Sequence, residues 1–347
     1  MRIGRHIPTG SQPIRALEIA RSIGCEAIQI FVTNPRGWRE PEAHPEAEVA
    51  FRAATKRLEI GPVVVHATYL INLASPRDDF FAQSVSLLRA TLARAARFGA
   101  ASVVLHIGSH MGAGDEAGIA RLADGLRRSL EGAPTSVALL LENDVGAGGE
   151  LGYRFENIAA ALAAVPESTD QLGVCLDSAH LWGAGFDLST PDGVEHTLSA
   201  FDKVVGLRRV QVLHLNDTKV ALGSHRDVHA RIGEGIIGRA GMEHLLRHRE
   251  LAHATVLLET PILDVTPGKP DWRFEAEQLL RVYGLAARQF PAEIVSAGGA
   301  PADVVAADSA PEVGEAAPPR RATKRPSRAK EPVSGTTSRR ARTRIPS

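Results

Sequence analysis

Through the first 260 residues, short apolar runs rich in β-branched residues recur: "MRIGRH", "AIQIFV", "VVVHA", "SVVLHIG", "VALLLEN", "LGVCLDSAH", "RRVQVLHLND" and "ATVLLET". Runs of this length and composition read as buried strands. Longer segments with a helical period separate them. In "DDFFAQSVSLLRATLARAARFGA" (78–100), Phe81, Val85, Leu88 and Leu92 fall at i, i+4, i+7 and i+11, which places them on one face of a helix. Eight strands alternating with helices over about 290 residues predict an α/β protein, a single (β/α)8 TIM barrel spanning 1–290. A doubly wound open sheet is the alternative. After Phe290 the chain turns to Ala, Pro, Gly, Ser and charge without apolar periodicity, so 291–347 is expected to be a disordered tail.

Composition adds limits. With 347 residues, 44% of them hydrophobic, the chain can bury a sizeable core. Its two cysteines, Cys25 and Cys175, are 150 positions apart in apolar surroundings, which argues against a disulfide framework or a Cys-type zinc finger and points to a reducing compartment. The amino terminus lacks an apolar region of secretory type, and no run approaches the ~18 apolar residues of a membrane span. The expectation is a cytoplasmic protein with no membrane partner. The formal charge of zero conceals an asymmetry: residues 320–347 carry ten Lys/Arg against Glu331 alone, residues 291–319 carry five acids and no base, and 1–290 is left near −4. A polybasic arm binds phosphates without sequence preference, so the tail is expected to add affinity for a phosphate-rich polyanion such as a nucleic acid. Self-neutralisation against the acids of 291–319 is the other reading.

The candidate chemistry sits where the apolar runs end. His66 closes "VVVH", His106 closes "SVVLH", Glu142 closes "VALLLE", Asp177 closes "GVCLD", His214 closes "VQVLH" and Glu259 closes "TVLLE". In a barrel the C-terminal ends of the strands converge on one face, where active sites are built. His180, three residues after Asp177, and Asp227 with His229 in a Gly- and Arg-punctuated loop extend the set. A single His or Asp at a strand end is more often a capping group than a ligand. Six successive runs ending in N/O donors are not expected of independent caps. Five imidazoles and four carboxylates exceed the four ligands a zinc usually takes, so two or three ions with a bridging carboxylate are implied. Imidazole-rich sites favour zinc; Glu142, Asp177, His214 and Glu259 alone would also suit manganese or magnesium. His6 could be a hydrogen-bonded strand end or an outer partner of this set, while His44, His196, His244, His248 and His253 read as ordinary surface residues.

The motifs "TYLINLA" (68–74), "HIGSH" (106–110), "LEN" (141–143), "LDSAHLWGAGFDL" (176–188), "HLNDTK" (214–219), "GSHRDVHARIGEGIIG" (223–238) and "LETP" (258–261) together make residues 1–285 resemble endonuclease IV, the zinc-dependent apurinic/apyrimidinic endonucleases. The resemblance implies three Zn²⁺ per chain: one held by His66, His106 and Glu142; a second by Glu142, Asp177, His214 and Glu259; a third by His180, Asp227 and His229. It implies catalytic roles for Glu142 and Glu259. The implied reaction is hydrolysis of the phosphodiester 5′ to an abasic site in double-stranded DNA, giving a 3′-hydroxyl and a 5′-deoxyribose phosphate, with removal of 3′-blocking groups beside it. A monomer is expected.

Lesion recognition would use other residues. "TNPRGWRE" (33–40) and "TYLINL" resemble the family's loops that enter the duplex, so Arg36, Tyr69 and Leu70 are implied to wedge into DNA while the abasic nucleotide is extruded; a missing base has no stacking to lose. Without the resemblance, Tyr69 and Leu70 would read as core and Trp38 as a loop anchor. The chain departs from the family pattern at Ile107, usually Pro, at Val228, usually Arg, and at Ser178-Ala179, where Thr-Cys is more usual. The rival function is a divalent-metal sugar isomerase or epimerase of the xylose isomerase-like barrels, for which Glu142, Asp177, His214 and Glu259 would suffice and the other five ligands would not be needed together. A DNA-binding or scaffold protein on a relic barrel is a further alternative.

Overall fold

A computed structural model describes residues 1–291 except 11, 40–42 and 169; the expected tail, apart from Pro291, lies outside the described residues. All eight apolar runs form strands. In chain order the elements are β1 (Arg2–His6), α1 (Pro13–Ser22), β2 (Ala27–Ile30), α2 (Pro45–Arg57), β3 (Val63–His66), α3 (Asp78–Phe98), β4 (Ser102–His106), α4 (Asp115–Leu130), β5 (Ala138–Glu142) and α5 (Phe155–Ala163). There follow β6 (Leu172–Asp177), α6 (Ser178–Ala184), α7 (Pro191–Val204), β7 (Val210–His214), α8 (Gly238–Arg247), β8 (Thr255–Leu258), β9 (Asp264–Thr266), β10 (Lys269–Pro270) and α9 (Trp272–Leu285). β1 to β8 pair in parallel, each with the next, and β8 returns to β1 through the register Arg2↔Thr255 to Arg5↔Leu258, closing the barrel. The open-sheet alternative is thereby excluded. Helix α3 buries Phe81, Val85, Leu88 and Leu92 on the face that the spacing predicts, and it stops at Gly99, whose φ of 73° suits a residue without Cβ. No apolar run announces the β9–β10 hairpin, whose first strand is exposed along its length.

The alternation of side chains along each strand sets the two layers that matter. One set, including Ile28, Val65, Leu105, Leu141, Leu176 and Leu258, packs outward beneath the helices in the main core. The other set points into the barrel: Ala27, Val64, Val104, Leu140, Cys175, Val212 and Leu257 form a separate apolar layer. β1 contributes Gly4 there, because a Cβ at that position would sit 1.8 Å from the carbonyl oxygen of Ala27. Burying each such Val or Leu contributes about 1.5–3 kcal/mol, so this layer is a firm floor. Two residues further along each strand, the same inward face carries His6, Gln29, His66, His106, Glu142, Asp177, His214 and Glu259. Period two thus stacks a ring of polar groups directly on an apolar plug.

Candidate metal centre

Glu142 lies at the middle of the polar layer and is fully buried. Its two oxygens face different neighbours. Oε2 is 3.3 Å from His66 Nε2 and 3.5 Å from His106 Nε2, while Oε1 is 2.8 Å from His214 Nδ1. Beyond His214, Glu259 Oε2 stands 3.0 Å and Asp177 Oδ2 3.9 Å from the same Nδ1. Asp177 Oδ2 is also 3.6 Å from His229 Nε2, and Asp227 Oδ1 lies 3.1 Å from His229 Nε2 and 3.3 Å from His180 Nε2. The structure therefore brings all nine sequence-predicted ligands to one mouth of the barrel. Three of its tight donor groups are His66, His106 and Glu142; Glu142, Asp177, His214 and Glu259; and Asp177, His180 and His229. A fourth adds Cys175 to Glu142 and His214, but burial pushes that thiol up to about 12, which keeps it protonated and apolar in behaviour.

Local sequence explains how each ligand is aimed. Asp177 ends β6 and caps α6, its Oδ1 accepting from the backbone N–H of His180 at 2.9 Å, so the Asp-x-x-His spacing turns His180 back over the site. The asparagines that follow two ligands tie adjacent strand tops together. Asn143 Oδ1 accepts from Asp177 N at 2.6 Å; Asn216 donates to Asp177 Oδ2 at 2.6 Å and accepts from Glu259 N at 2.9 Å. The loop after β7 is organised by Asp217, which accepts from the backbone N–H groups of Thr218, Gly233, Gly235 and Ile237 at 2.9–3.2 Å. A Cβ on Gly235 would fall 2.2 Å from Asp217 Oδ1, so glycine is required there. The fixed loop carries Asp227 and His229 to the same side, which an Asp-x-His on a regular strand could not do.

The ring nitrogens away from the cluster have acceptors of their own. His66 Nδ1 meets Ala67 O at 2.7 Å, His180 Nδ1 meets Asn143 O at 2.9 Å, and His106 Nδ1 meets Asp144 Oδ2 at 3.3 Å. In the neutral ring a proton held there leaves Nε2 as the electron-pair donor facing the carboxylates, the arrangement of metal-ligating histidines. The Nε2 atoms of His180 and His229 are buried without a hydrogen bond, although Asp227 is near both. Orphaned nitrogens converging on a carboxylate, with no apolar reason to be there, fit a metal ion.

Charge follows from the crowding. Burial by itself would raise the Glu142 carboxyl, but His106 and His214 hold it well below the usual carboxylate range. Burial likewise opposes protonation of His106 and His229, yet Glu142 beside the first, and Asp177 with Asp227 beside the second, push both up to about 9. His6 goes the other way, burial taking it down to about 3. Behind His106, burial and the charge of Asp144 raise Glu150 to about 8.

The residues expected to touch DNA lie around the rim of the cluster, with Tyr69 against it. Arg36 is exposed on the β2–α2 loop, Leu70 is half-buried, and Tyr69 is 52% exposed with its ring 5.6 Å from that of His66 and 5.7 Å from Phe31. Tyr69 is therefore not a core residue, while Trp38 sits edge-on to Phe80 at 5.8 Å, as a loop anchor would. Of the departures, Ile107 is fully buried in the main core and Val228 is half-buried between Asp227 and His229. His6 touches the polar layer through Gln29. His44, His196 and His253 are exposed, and His244 and His248 face Glu195 on the helical layer at 2.6 and 3.7 Å. The sequence reading missed Gln29, Asn143, Asp144, Asn216 and Asp217. Gln29 had a signal, being the one polar residue in "AIQIFV"; the two asparagines had another, each following a strand-end ligand within two positions.

The fold and this site define the xylose isomerase-like TIM barrels, whose family model matches residues 17–282. A probable endonuclease 4 from Halothermothrix orenii is 39% identical over 261 residues, 75% of this chain and 94% of that protein. The crystal structure of endonuclease IV from Thermus thermophilus superposes with a TM-score of 0.71 at 34% identity, covering 83% of this chain and 99% of the other. The chain belongs to the endonuclease IV family. A D-tagatose 3-epimerase-like protein, 18% identical with a TM-score of 0.61 over 83% of this chain and 98% of its own, shares the barrel. No described helix is long and apolar enough to cross a membrane.

Proposed function

We propose that the chain is a zinc-dependent DNA-repair endonuclease that hydrolyses the phosphodiester on the 5′ side of an abasic site, leaving a 3′-hydroxyl and a 5′-deoxyribose phosphate. The observation that carries this reading is the division of Glu142, one oxygen turned to His66 and His106 and the other to His214, with a separate His180–Asp227–His229 group beside it. Three Zn²⁺ would be held by His66, His106 and Glu142, by Glu142, Asp177, His214 and Glu259, and by His180, Asp227 and His229; the imidazole content favours zinc. Bound cations grouped in this way lower the pKa of water toward about 7 and stabilise the attacking and leaving oxygens of an in-line displacement.

The protein's own part is to hold and aim. The acceptors on the outer nitrogens of His66, His106 and His180 fix three rings, and the apolar layer below keeps bulk water from entering through the barrel. Arg36, Tyr69 and Leu70, at the rim, would occupy the gap in the base stack while the abasic nucleotide turns toward the centre. The same site would remove 3′-blocking groups, since the bond cut lies in the same relation to the phosphate. All nine donors come from one chain, which supports a monomer. The basic residues of 320–347 would add sequence-independent contacts to phosphates.

The sugar isomerase reading needs Glu142, Asp177, His214 and Glu259 alone and leaves the orphaned nitrogens of His180 and His229 without a purpose. Elemental analysis paired with nicking of a duplex bearing one abasic site separates the two. About three zinc ions per chain with incision 5′ to the lesion is expected; one ion or fewer, with turnover of a ketose and none of the duplex, would overturn the proposal.

A further inference from the structure

β2 supplies none of the nine donors, yet it places a fully buried amide, Gln29, among them. Gln29 Nε2 lies 2.5 Å from Glu259 Oε1 and 3.1 Å from His6 Nδ1, and Gln29 Oε1 lies 2.9 Å from His214 Nε2. These partners fix which way the amide faces. An NH2 group donates to a carboxylate, whereas the opposite flip would set carbonyl oxygen against carboxylate oxygen. With both amide protons directed at Glu259 and His6, the amide oxygen is left to accept, so His214 must carry a proton on Nε2. Once a cation displaces the proton on the other nitrogen, His214 Nδ1 is the ring's electron-pair donor, and it is the atom that faces Glu142 Oε1 at 2.8 Å and Glu259 Oε2 at 3.0 Å.

We infer that Gln29 is a positioning residue of the metal centre: it selects the tautomer of His214 and engages one oxygen of Glu259, so that the other turns to the shared site. This rests on the metal-centre reading given above. A ligating imidazole whose remote N–H has a fixed acceptor is better aimed and more basic, and losing such a partner costs about 10–100-fold in metal affinity. His6, on β1, closes the arrangement by accepting the second amide proton; a rotation of the amide would break three contacts at once. Gln29 is thus the route by which β1 and β2, which lend no predicted ligand, take part in the centre.

The test compares the wild-type chain with Gln29→Met and Gln29→Glu. Zinc affinity is read by competition with a chromogenic chelator, and the His214 ring is followed by 15N NMR on the zinc-loaded protein. Gln29→Met is expected to weaken one zinc by about 10–100-fold, leave the others near wild type, and let His214 exchange between tautomers. Gln29→Glu faces Glu259 with an oxygen in place of a donor, so it is expected to weaken the same zinc at least as much as Gln29→Met. Wild-type affinity with an unchanged ring in Gln29→Met overturns the inference. So does equal weakening of every zinc together with a lowered melting temperature of the metal-free protein, because Gln29 would then act only through the fold. A wild-type chain that binds no divalent cation defeats the metal-centre reading itself, a separate outcome.

Discussion

The candidate donors on strand ends and those on the long loop after β7 meet at one mouth of the barrel under different constraints. Glu142, Asp177 and His214 are fully buried, rooted in β5, β6 and β7 two positions above the apolar layer. Asp227 keeps half of its side chain exposed and His229 a sixth, and neither belongs to a strand. The strand-held group is positioned by barrel closure and cannot move without unpairing the sheet. The loop-held pair depends on one side chain, Asp217, gathering four backbone N–H groups. Rigidity is built in for the first group and added by hydrogen bonds for the second.

The strand-held group is most vulnerable at Glu142, the member its two halves share. Glu142→Gln keeps the shape but removes the charge that both His66–His106 and His214 face. It should cost more than the ~10–100-fold that follows loss of an outer partner. Metal content should fall by at least two ions and incision should drop below detection, with the barrel's far-UV circular dichroism retained. A metal-replete, active variant would show that Glu142 does not bridge.

Proton competition probes one histidine from each group. In the metal-free protein His106 and His229 are protonated up to about pH 9, and a cation can use their nitrogens only after the proton leaves. Their folded pKa values exceed the ordinary 6.5, so their contribution to metal-free stability is full below about 6.5 and is lost as pH rises through about 9. Metal affinity should rise across that same window, by up to about tenfold per pH unit for each proton displaced. Melting of the metal-free protein and chelator competition, each followed from about pH 6.5 to about pH 9, should therefore move in opposite directions.

A smaller and local effect is expected of Asp217→Ala. Four backbone donors would lose their acceptor, at a cost of about 1–3 kcal/mol for each one that stays buried, those of Thr218 and Ile237 above all, read by thermal or urea unfolding. The cation at His180, Asp227 and His229 should become labile to chelator while the strand-held ions stay. Equal loss from all positions would mean that the two groups are not independently supported. Least of all should the metal feel the rim: Arg36→Ala with Tyr69→Ala is expected to weaken binding to abasic duplex by about tenfold, the scale of one lost stacking contact, with metal content unchanged. Unaltered discrimination between abasic and intact duplex would remove these two residues from lesion recognition.

Local rules account for what could be read along the chain alone. Apolar runs with polar ends mark eight strands and six of the donors, since a barrel strand's period of two places its last inward residue on the functional face. The Asp177-x-x-His180 spacing was legible for the same reason, a strand end passing directly into a helix turn. The remainder waited on the folded barrel, because the deciding contacts join distant positions: Gln29 with Glu259 across 230 residues, His214 with Gln29 across 185, and Asn216 with Glu259 across 43. A lone glutamine in an apolar run, or an asparagine after a strand-end carboxylate or imidazole, carries no information about which carboxylate or ring it will meet. Hydrogen bonds at about 3 Å depend on where the closed barrel puts both partners, and closure belongs to the whole chain, not to any stretch of it.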